Sequence, residues 1–192
     1  MLKKSLSTFF ILVLFTNNII TAQENKAAIS INGGIVQGGF GGSVNFNYLV
    51  NKNDFIEIGV LGSFSNAEVD EIKVPIQLYA ANIGFFYNLF RNKAKDYSDL
   101  LADSAKKIDL AIGIGGSVGQ ETLNDNDPMI NERFTINSET ETIVFGGFIG
   151  IDANYYINSK FMINLKINEF YHANSEIGKL SAYAGLGFKF RL

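Results

Sequence analysis

The chain has 192 residues and a formal net charge of −3, from 16 basic and 19 acidic side chains. This balance argues against broad nucleic-acid binding, which needs a basic face. The sequence contains no cysteine, which excludes disulfides, iron–sulfur sites, zinc–thiolate sites and cysteine nucleophiles. The 19 glycines and 25 Phe and Tyr residues, beside only 2 prolines, suit a large antiparallel sheet or a barrel.

The N-terminal segment has the features of a secretion signal. Two lysines precede a short apolar run at residues 6–15, and Ala22 offers a small residue at a cleavage point. The run is too short to cross a bilayer comfortably, which takes about 20 apolar residues. We therefore predict a signal peptide over residues 1–22 and a barrel domain over residues 23–192. The alternative for the first segment is an uncleaved membrane anchor.

Beyond that segment, apolar side chains alternate with polar or small ones. Ile112 and Ile114 fall on one face of their segment, whereas Gly113 and Gly115 fall on the other. A period of two predicts β-strands. The pattern recurs in eight segments, which are residues 29–35, 43–50, 56–61, 79–88, 108–119, 143–155, 161–168 and 185–192. With their flanks, these segments approach the length of about 10 residues that a tilted strand needs to cross a bilayer.

The connections between these segments differ in length. Residues 51–54 and 158–160 are predicted to be tight turns, whereas residues 65–73, 122–140 and 172–179 are predicted to be longer polar loops. Short turns at one end and long loops at the other are typical of outer-membrane barrels.

Residues 91–107 break this alternation, because they form a long connection on the short-turn side. Asp96 is suited to cap a helix in which Tyr97, Leu100 and Leu101 share a face. The segment is therefore either a short amphipathic helix that covers the mouth of the barrel or a mobile excursion.

Alternation alone does not tell which face meets lipid, because a soluble barrel would turn its apolar face inward. The export signal, the alternation of Phe188, Phe190 and Leu192 up to the last residue, and a row of aromatic side chains near the short turns favour the membrane. The aromatic row consists of Tyr48, Phe55, Tyr87, Tyr155, Phe161 and Phe190. We predict an all-β fold, an up-and-down antiparallel barrel of about eight strands of the outer-membrane type.

The polar faces of the strands then bring charges into the lumen. A barrel of about eight strands has room inside only for side chains, and unpaired buried charges are costly. The inward charges are expected to pair, so that the lumen is a solid polar core and not a pore. They are Glu57, Asp109, Asp152, Lys166, Lys189 and Arg191.

Residues 109–121 hold spaced glycines after an apolar run, as some phosphate-binding loops do. Their spacing departs from the dinucleotide-binding pattern GxGxxG at Val118, and no helical pattern follows. We predict instead that these glycines leave room inside a narrow barrel for bulky neighbours such as Phe86 and Phe148.

Two other groups of residues are candidate sites. His172, with Ser175 and Glu176, could hydrolyse lipid at the outer rim, but no oriented base or oxyanion hole can be identified, so an ordinary loop histidine is expected. Asp125 and Asp127 could bind a cation, but the glycine and the distant glutamate of a calcium loop are missing, so a solvated turn is expected. We assign no catalytic, cofactor-binding or metal-binding residue, and we expect no cofactor and no enzyme activity.

Four segments carry a resemblance to a known family. They are residues 74–89, 119–124, 145–166 and 181–192. They resemble the TraO family, small exported proteins encoded in conjugative transposons of Bacteroidetes, and the similarity runs over most of the chain after the signal. The resemblance implies a part in conjugal DNA transfer at the outer membrane, and it carries over no catalytic residues.

The function expected from the sequence is that of a non-enzymatic outer-membrane barrel that takes part in conjugative DNA transfer. Its expected partners are outer-membrane lipid and other conjugative transfer proteins, without direct binding of nucleic acid. The alternatives are a general envelope barrel for adhesion or stability and an outer-membrane enzyme that modifies lipid.

Overall fold

Eight long strands form one closed antiparallel barrel in the computed structural model. Each strand pairs with the barrel strands before and after it in the chain, and the last strand pairs with the first. The predicted up-and-down barrel is therefore confirmed. The barrel strands are β1 (Ala27–Val36), β2 (Gly39–Leu49), β3 (Phe55–Val69), β4 (Ile72–Asn88), β5 (Ile108–Leu123), β8 (Glu141–Tyr156), β9 (Phe161–His172) and β10 (Leu180–Arg191), and two short strands, β6 (Met129–Ile130) and β7 (Phe134–Thr135), pair with each other between β5 and β8.

The structure describes part of the chain, namely residues 27–36, 38–50, 54–69, 72–90, 107–130, 134–135, 139–175 and 178–192. The predicted signal peptide, residues 1–22, and nearly all of the predicted helical connection, residues 91–107, lie outside these ranges. Among the described residues, no helix is long and apolar enough to span a membrane.

The two ends of the barrel carry different connections. We call the end that holds Ala27 and Arg191 the terminus end, and the opposite one the loop end. The terminus end holds the connections 50–54, 89–107 and 157–160. The loop end holds the connections 37–38, 70–71, 124–140 and 173–179.

The loop predicted over residues 65–73 is wrong, because most of this segment is a β-hairpin. β3 continues to Val69, which pairs with Ile72 at the start of β4. Farther along the chain, β5 continues to Leu123, into the segment predicted to be a loop over residues 122–140. The polar composition was misleading, because a strand that extends beyond the bilayer has no need for an apolar outer face.

The alternation predicted from the sequence sorts the side chains between the two faces. Ile58, Ile114 and Ile149 point outward and are 56%, 67% and 62% exposed. Ser30 and Asn164 point inward and are fully buried. An apolar exterior around a polar interior is the arrangement of an outer-membrane barrel and the reverse of a soluble one.

Aromatic side chains ring the outer wall at both ends. The terminus-end girdle consists of Tyr48, Tyr87, Tyr155, Phe161 and Phe190, and the loop-end girdle consists of Phe40, Phe64, Tyr79, Phe145 and Tyr171. Along β9, from Phe161 to Tyr171, the strand rises by roughly 33 Å, which is about 25 Å along the axis of a barrel with tilted strands. This separation matches the height of the apolar band of outer-membrane barrels.

The structure corrects one member of the predicted aromatic row. Phe55 points into the lumen, is 6% exposed and stacks on Phe86 with ring centroids 5.0 Å apart. It lies in phase with Glu57, two residues along the same strand, which also points inward. The position of Phe55 in the alternation of its strand therefore predicts which face it occupies better than its closeness to a turn does.

Candidate functional site

Four buried charges occupy the middle of the lumen, and we call them the central charge network. Lys166 Nζ lies 2.5 Å from Glu57 Oε2 and 3.4 Å from Asp152 Oδ2. Lys189 Nζ lies 2.7 Å from Asp152 Oδ1. Two acids thus balance two bases in a space closed to water, as their burial requires. The predicted pairing of the inward charges is confirmed for these four.

Replacing the central lysine tests this network. Lys166→Met is expected to lower the free energy of unfolding by about 3–5 kcal/mol, because Glu57 is left as a buried charge without its base. The matched control, Glu57→Gln combined with Lys166→Met, removes both charges and is expected to recover much of the loss. Urea unfolding of the refolded protein in detergent measures both. Equal losses in the single and double variants would contradict a paired network.

Polar side chains fill the lumen at the terminus end. Asp109 accepts a hydrogen bond from the Asn88 amide and another from the Tyr156 hydroxyl, at 3.4 Å. Arg191 Nη2 donates to the Tyr156 oxygen at 2.7 Å. The hydroxyl of Tyr156 therefore links Asp109 to Arg191, an acid and a base that the sequence predicts to lie in the lumen. A cavity of about 30 Å³ adjoins them, which is space for only one or two water molecules.

An aromatic layer lies against the central charge network. The rings of Phe148 and Phe170 lie 5.5 Å apart. Lys166 Nζ lies 4.6 Å from the ring centroid of Phe86, and Lys189 Nζ lies 5.0 Å from that of Phe55. The aromatic faces supply favourable electrostatic contacts to both bases.

The glycines of residues 109–121 lie on a strand, β5, and two of them, Gly113 and Gly115, line the space that these rings fill. A Cβ atom at Gly113 would stand 2.5 Å from Phe86 Cδ1, and one at Gly115 would stand 2.5 Å from Phe148 Cε1. The expectation that the glycines make room for these two phenylalanines is confirmed. Because these glycines lie within one strand, they do not form the loop before a helix that a dinucleotide site requires.

His172 is not a loop residue, in contrast to the expectation from the sequence. It ends β9, points into the lumen and is 2% exposed. Its Nε2 lies 3.4 Å from Ser117 Oγ, and its ring stacks on Phe170. Ser175 instead donates a hydrogen bond of 2.6 Å to Glu121 Oε2. The histidine is thus turned away from the lipid-facing rim, where a lipid-hydrolysing site would have to lie.

Asp125 and Asp127 lie in an exposed turn at the loop end. Asp125 accepts a hydrogen bond of 2.6 Å from Gln77 of β4, and Asp127 accepts one of 2.8 Å from the backbone N–H of Met129. The first contact holds the turn against the barrel wall, and the second lies within the turn itself. Within the described residues, no group of three His, Asp or Glu side chains is placed to hold a metal ion.

Apart from the small cavity at the terminus end, the described lumen is packed with paired charges, amides and aromatic rings. Such an interior stabilises the barrel and leaves no passage for a polymer. Any interaction with another macromolecule has to take place on the outer wall or at the two ends.

Comparison with solved structures agrees with this architecture. The crystal structure of Neisserial surface protein A superposes with a TM-score of 0.53 at 8% identity, covering 86% of this chain and 95% of that one. The N-terminal β-barrel domain of Pseudomonas aeruginosa OprF gives a TM-score of 0.50 at 14% identity, covering 88% of this chain and 100% of the other. Identities this low show the fold alone. No curated protein matches the chain in sequence.

Comparison with protein families gives a match over almost the whole barrel. The family described as conjugative transposon protein TraO matches residues 28–192. The match starts at the second residue of β1 and ends at the last residue of the chain, so it includes all eight barrel strands. The resemblance noticed in four segments of the sequence is thereby confirmed, and the chain belongs to the TraO family of conjugative transposon proteins.

Proposed function

We propose that the protein is a non-enzymatic outer-membrane component of a conjugative DNA-transfer apparatus. The family match over residues 28–192 is the observation that carries the role in conjugation. The apolar wall between two aromatic girdles supports the outer-membrane location. Because the lumen is filled, DNA does not pass through this barrel, and the protein acts by holding other transfer proteins at the membrane.

Export is part of this proposal. A barrel with so apolar an exterior reaches the outer membrane only after secretion, and residues 1–22 have the composition of a signal peptide. N-terminal sequencing of the protein from the membrane fraction tests this. A mature chain that starts at Gln23 is expected, and a chain that still carries Lys3 and Lys4 would contradict cleavage.

Deletion of the gene tests the role itself. Transfer frequency from the deleted donor is expected to fall by orders of magnitude and to return when the gene is supplied in trans. Growth and resistance to detergent report general envelope damage and serve as the control. If transfer persists while the envelope weakens, the alternative of a general envelope barrel replaces the proposal.

The enzyme alternative can be tested at the only histidine of the sequence. His172→Ala is expected to leave transfer frequency unchanged, because the ring is enclosed in the lumen and has no substrate within reach. A loss of stability of about 1–3 kcal/mol is expected from the removed packing and hydrogen bond. Transfer as low as in the deletion strain, with the variant folded at normal membrane levels, would revive the enzyme.

A further inference from the structure

One charged side chain lies on the lipid-facing wall. Between the two girdles, the outward-facing residues that the structure describes are aliphatic or aromatic residues, glycine or alanine, with the single exception of Glu169. Glu169 follows Phe161, Ile163, Leu165 and Ile167 in the outward phase of β9. It lies two residues before Tyr171 of the loop-end girdle, or about 6–7 Å along the strand, toward the middle of the band.

The surroundings of this carboxylate are apolar. Its register partners are Ile149 on β8 and Ala182 on β10, and Ile149 is 62% exposed on the outer wall. On β8 the apolar surface continues toward the loop end through Phe145 to Ile143. Among the described residues, Glu169 makes no hydrogen bond and no ion pair.

An unpaired carboxylate facing hydrocarbon destabilises an isolated barrel. All other described charges of the barrel strands between the girdles point inward, and the central ones are paired. The outward-facing, half-buried carboxylate of Glu169 therefore needs a partner outside the barrel, since ionisable side chains inside a membrane almost always pair.

The geometry points to an interaction surface on β9 and β10, centred on Glu169, that receives a Lys or Arg side chain from a membrane-embedded segment of another protein. Ala182 lowers the wall directly beside Glu169 on the β10 side, and Gly147, diagonal to Glu169 on β8, lowers it toward the loop end, so a second backbone can approach closely from there. A charge-assisted bond formed there is shielded from water and is correspondingly strong.

Charge complementarity favours a basic side chain of another protein over the two other possible occupants, a second copy of this chain and a lipid. A second copy of the chain offers no outward-facing base between the girdles, as far as the described residues go. Lipid phosphates carry the same sign as the carboxylate and are repelled by it. The inference deepens the proposed function by naming the contact surface. It rests on the proposed membrane location, but a partner at Glu169 does not require a role in DNA transfer.

In-cell photo-crosslinking tests this surface. A photoreactive amino acid replaces Ala182 in the full-length protein, and the matched control carries it at Ala81, another lipid-facing alanine, on the far side of the barrel. We expect a discrete protein adduct at Ala182 and none at Ala81. The adduct should fall at least tenfold with Glu169→Gln, while heat-modifiable migration shows that this variant is folded.

Mass spectrometry of the adduct then identifies the base on the partner. Reversing that base to Glu is expected to abolish the adduct, and combining it with Glu169→Lys is expected to restore it. An adduct with lipid alone, an adduct with a second copy, or an adduct unchanged by Glu169→Gln would each overturn the inference. A protein missing from the membrane fraction would instead contradict the proposed function.

The isolated protein gives a second measurement. In phosphatidylcholine vesicles without any partner, Glu169→Leu is expected to shift the urea midpoint upward, because an unpaired charge leaves the lipid face. A downward shift would show that the carboxylate serves the barrel itself, and it would overturn the inference.

Discussion

Removal of residues 188–192 is expected to abolish assembly of the barrel. β10 closes the sheet by pairing with β1, and these residues cover the pairs from Phe188 with Ile31 to Arg191 with Ala28. Without them, the terminus-end parts of β1 and β9 present unpaired N–H and C=O groups to hydrocarbon, at a cost of several kcal/mol for each group. The truncation also removes Lys189, the second base of Asp152.

Membrane fractionation and heat-modifiable migration measure this effect. The truncated chain is expected to be degraded or to remain outside the membrane. The matched control is the full-length chain with Phe188→Leu and Phe190→Leu, which keeps every backbone pair and an apolar wall and is expected to assemble. Normal levels of folded, truncated protein in the membrane would contradict closure of the barrel by β10.

The sequence predicts the fold well because a membrane barrel imposes one rule on every strand: apolar residues that face lipid alternate with polar or small residues that face the lumen. In β5, the alternation of isoleucine with glycine fixes the strand and its two faces, and the structure places Ile112 and Ile114 outside and Gly113 and Gly115 inside. The rule fails where the strands leave the bilayer. Residues 65–69 and 72–73 are paired strands with a loop-like composition, because water replaces lipid outside them.

Two side chains lie elsewhere than we predict from the sequence, although the alternation of their strands indicates the correct face. Phe55 was assigned to the outer wall from its closeness to a turn, but its separation of two residues from the inward Glu57 predicts the lumen. His172 was assigned to a loop from its polar neighbours, although it continues the inward series of Met162 and Lys166. In both cases the local composition outweighed the periodicity, and the periodicity was the better physical guide.

The unpaired carboxylate of Glu169 was missed for a related reason. The strand predicted from the alternation ends at residue 168, because Glu169 is the first charged residue in the outward series of β9. The structure shows that the strand continues and that Glu169 keeps the same phase. A charged residue that keeps the outward position in the alternation of a strand is therefore the sequence signal for such a site.

The pairing partners within the lumen, such as Lys166 with Glu57, depend on the register between distant strands, and no local pattern encodes that register.

The last expected result concerns the two faces of β5. Gly113→Phe is expected to prevent folding, because even a Cβ atom at this position would stand 2.5 Å from the ring of Phe86, which is fully buried. That ring is held between Phe55, stacked at 5.0 Å, and Lys166, 4.6 Å from its centroid. A whole added ring therefore costs more than the roughly 1–3 kcal/mol of a few extra methylene groups in a packed core.

Gly116→Phe, three residues along the same strand, is the matched control. Gly116 points outward, and the nearest atom to its Cβ position is the carbonyl oxygen of Gly146 at 3.8 Å, so a ring there extends into lipid.

Ile112→Ala, also on the outer face, is expected to be mild, because lipid fills the vacated space. In a barrel with an apolar core the same change would leave a cavity that costs about 2–5 kcal/mol. Refolding yield into detergent and the urea midpoint measure all three variants. If Gly113→Phe folds normally while Gly116→Phe and Ile112→Ala are damaging, the apolar face points inward, and the assignment of the outer wall to lipid is lost together with the interaction surface at Glu169.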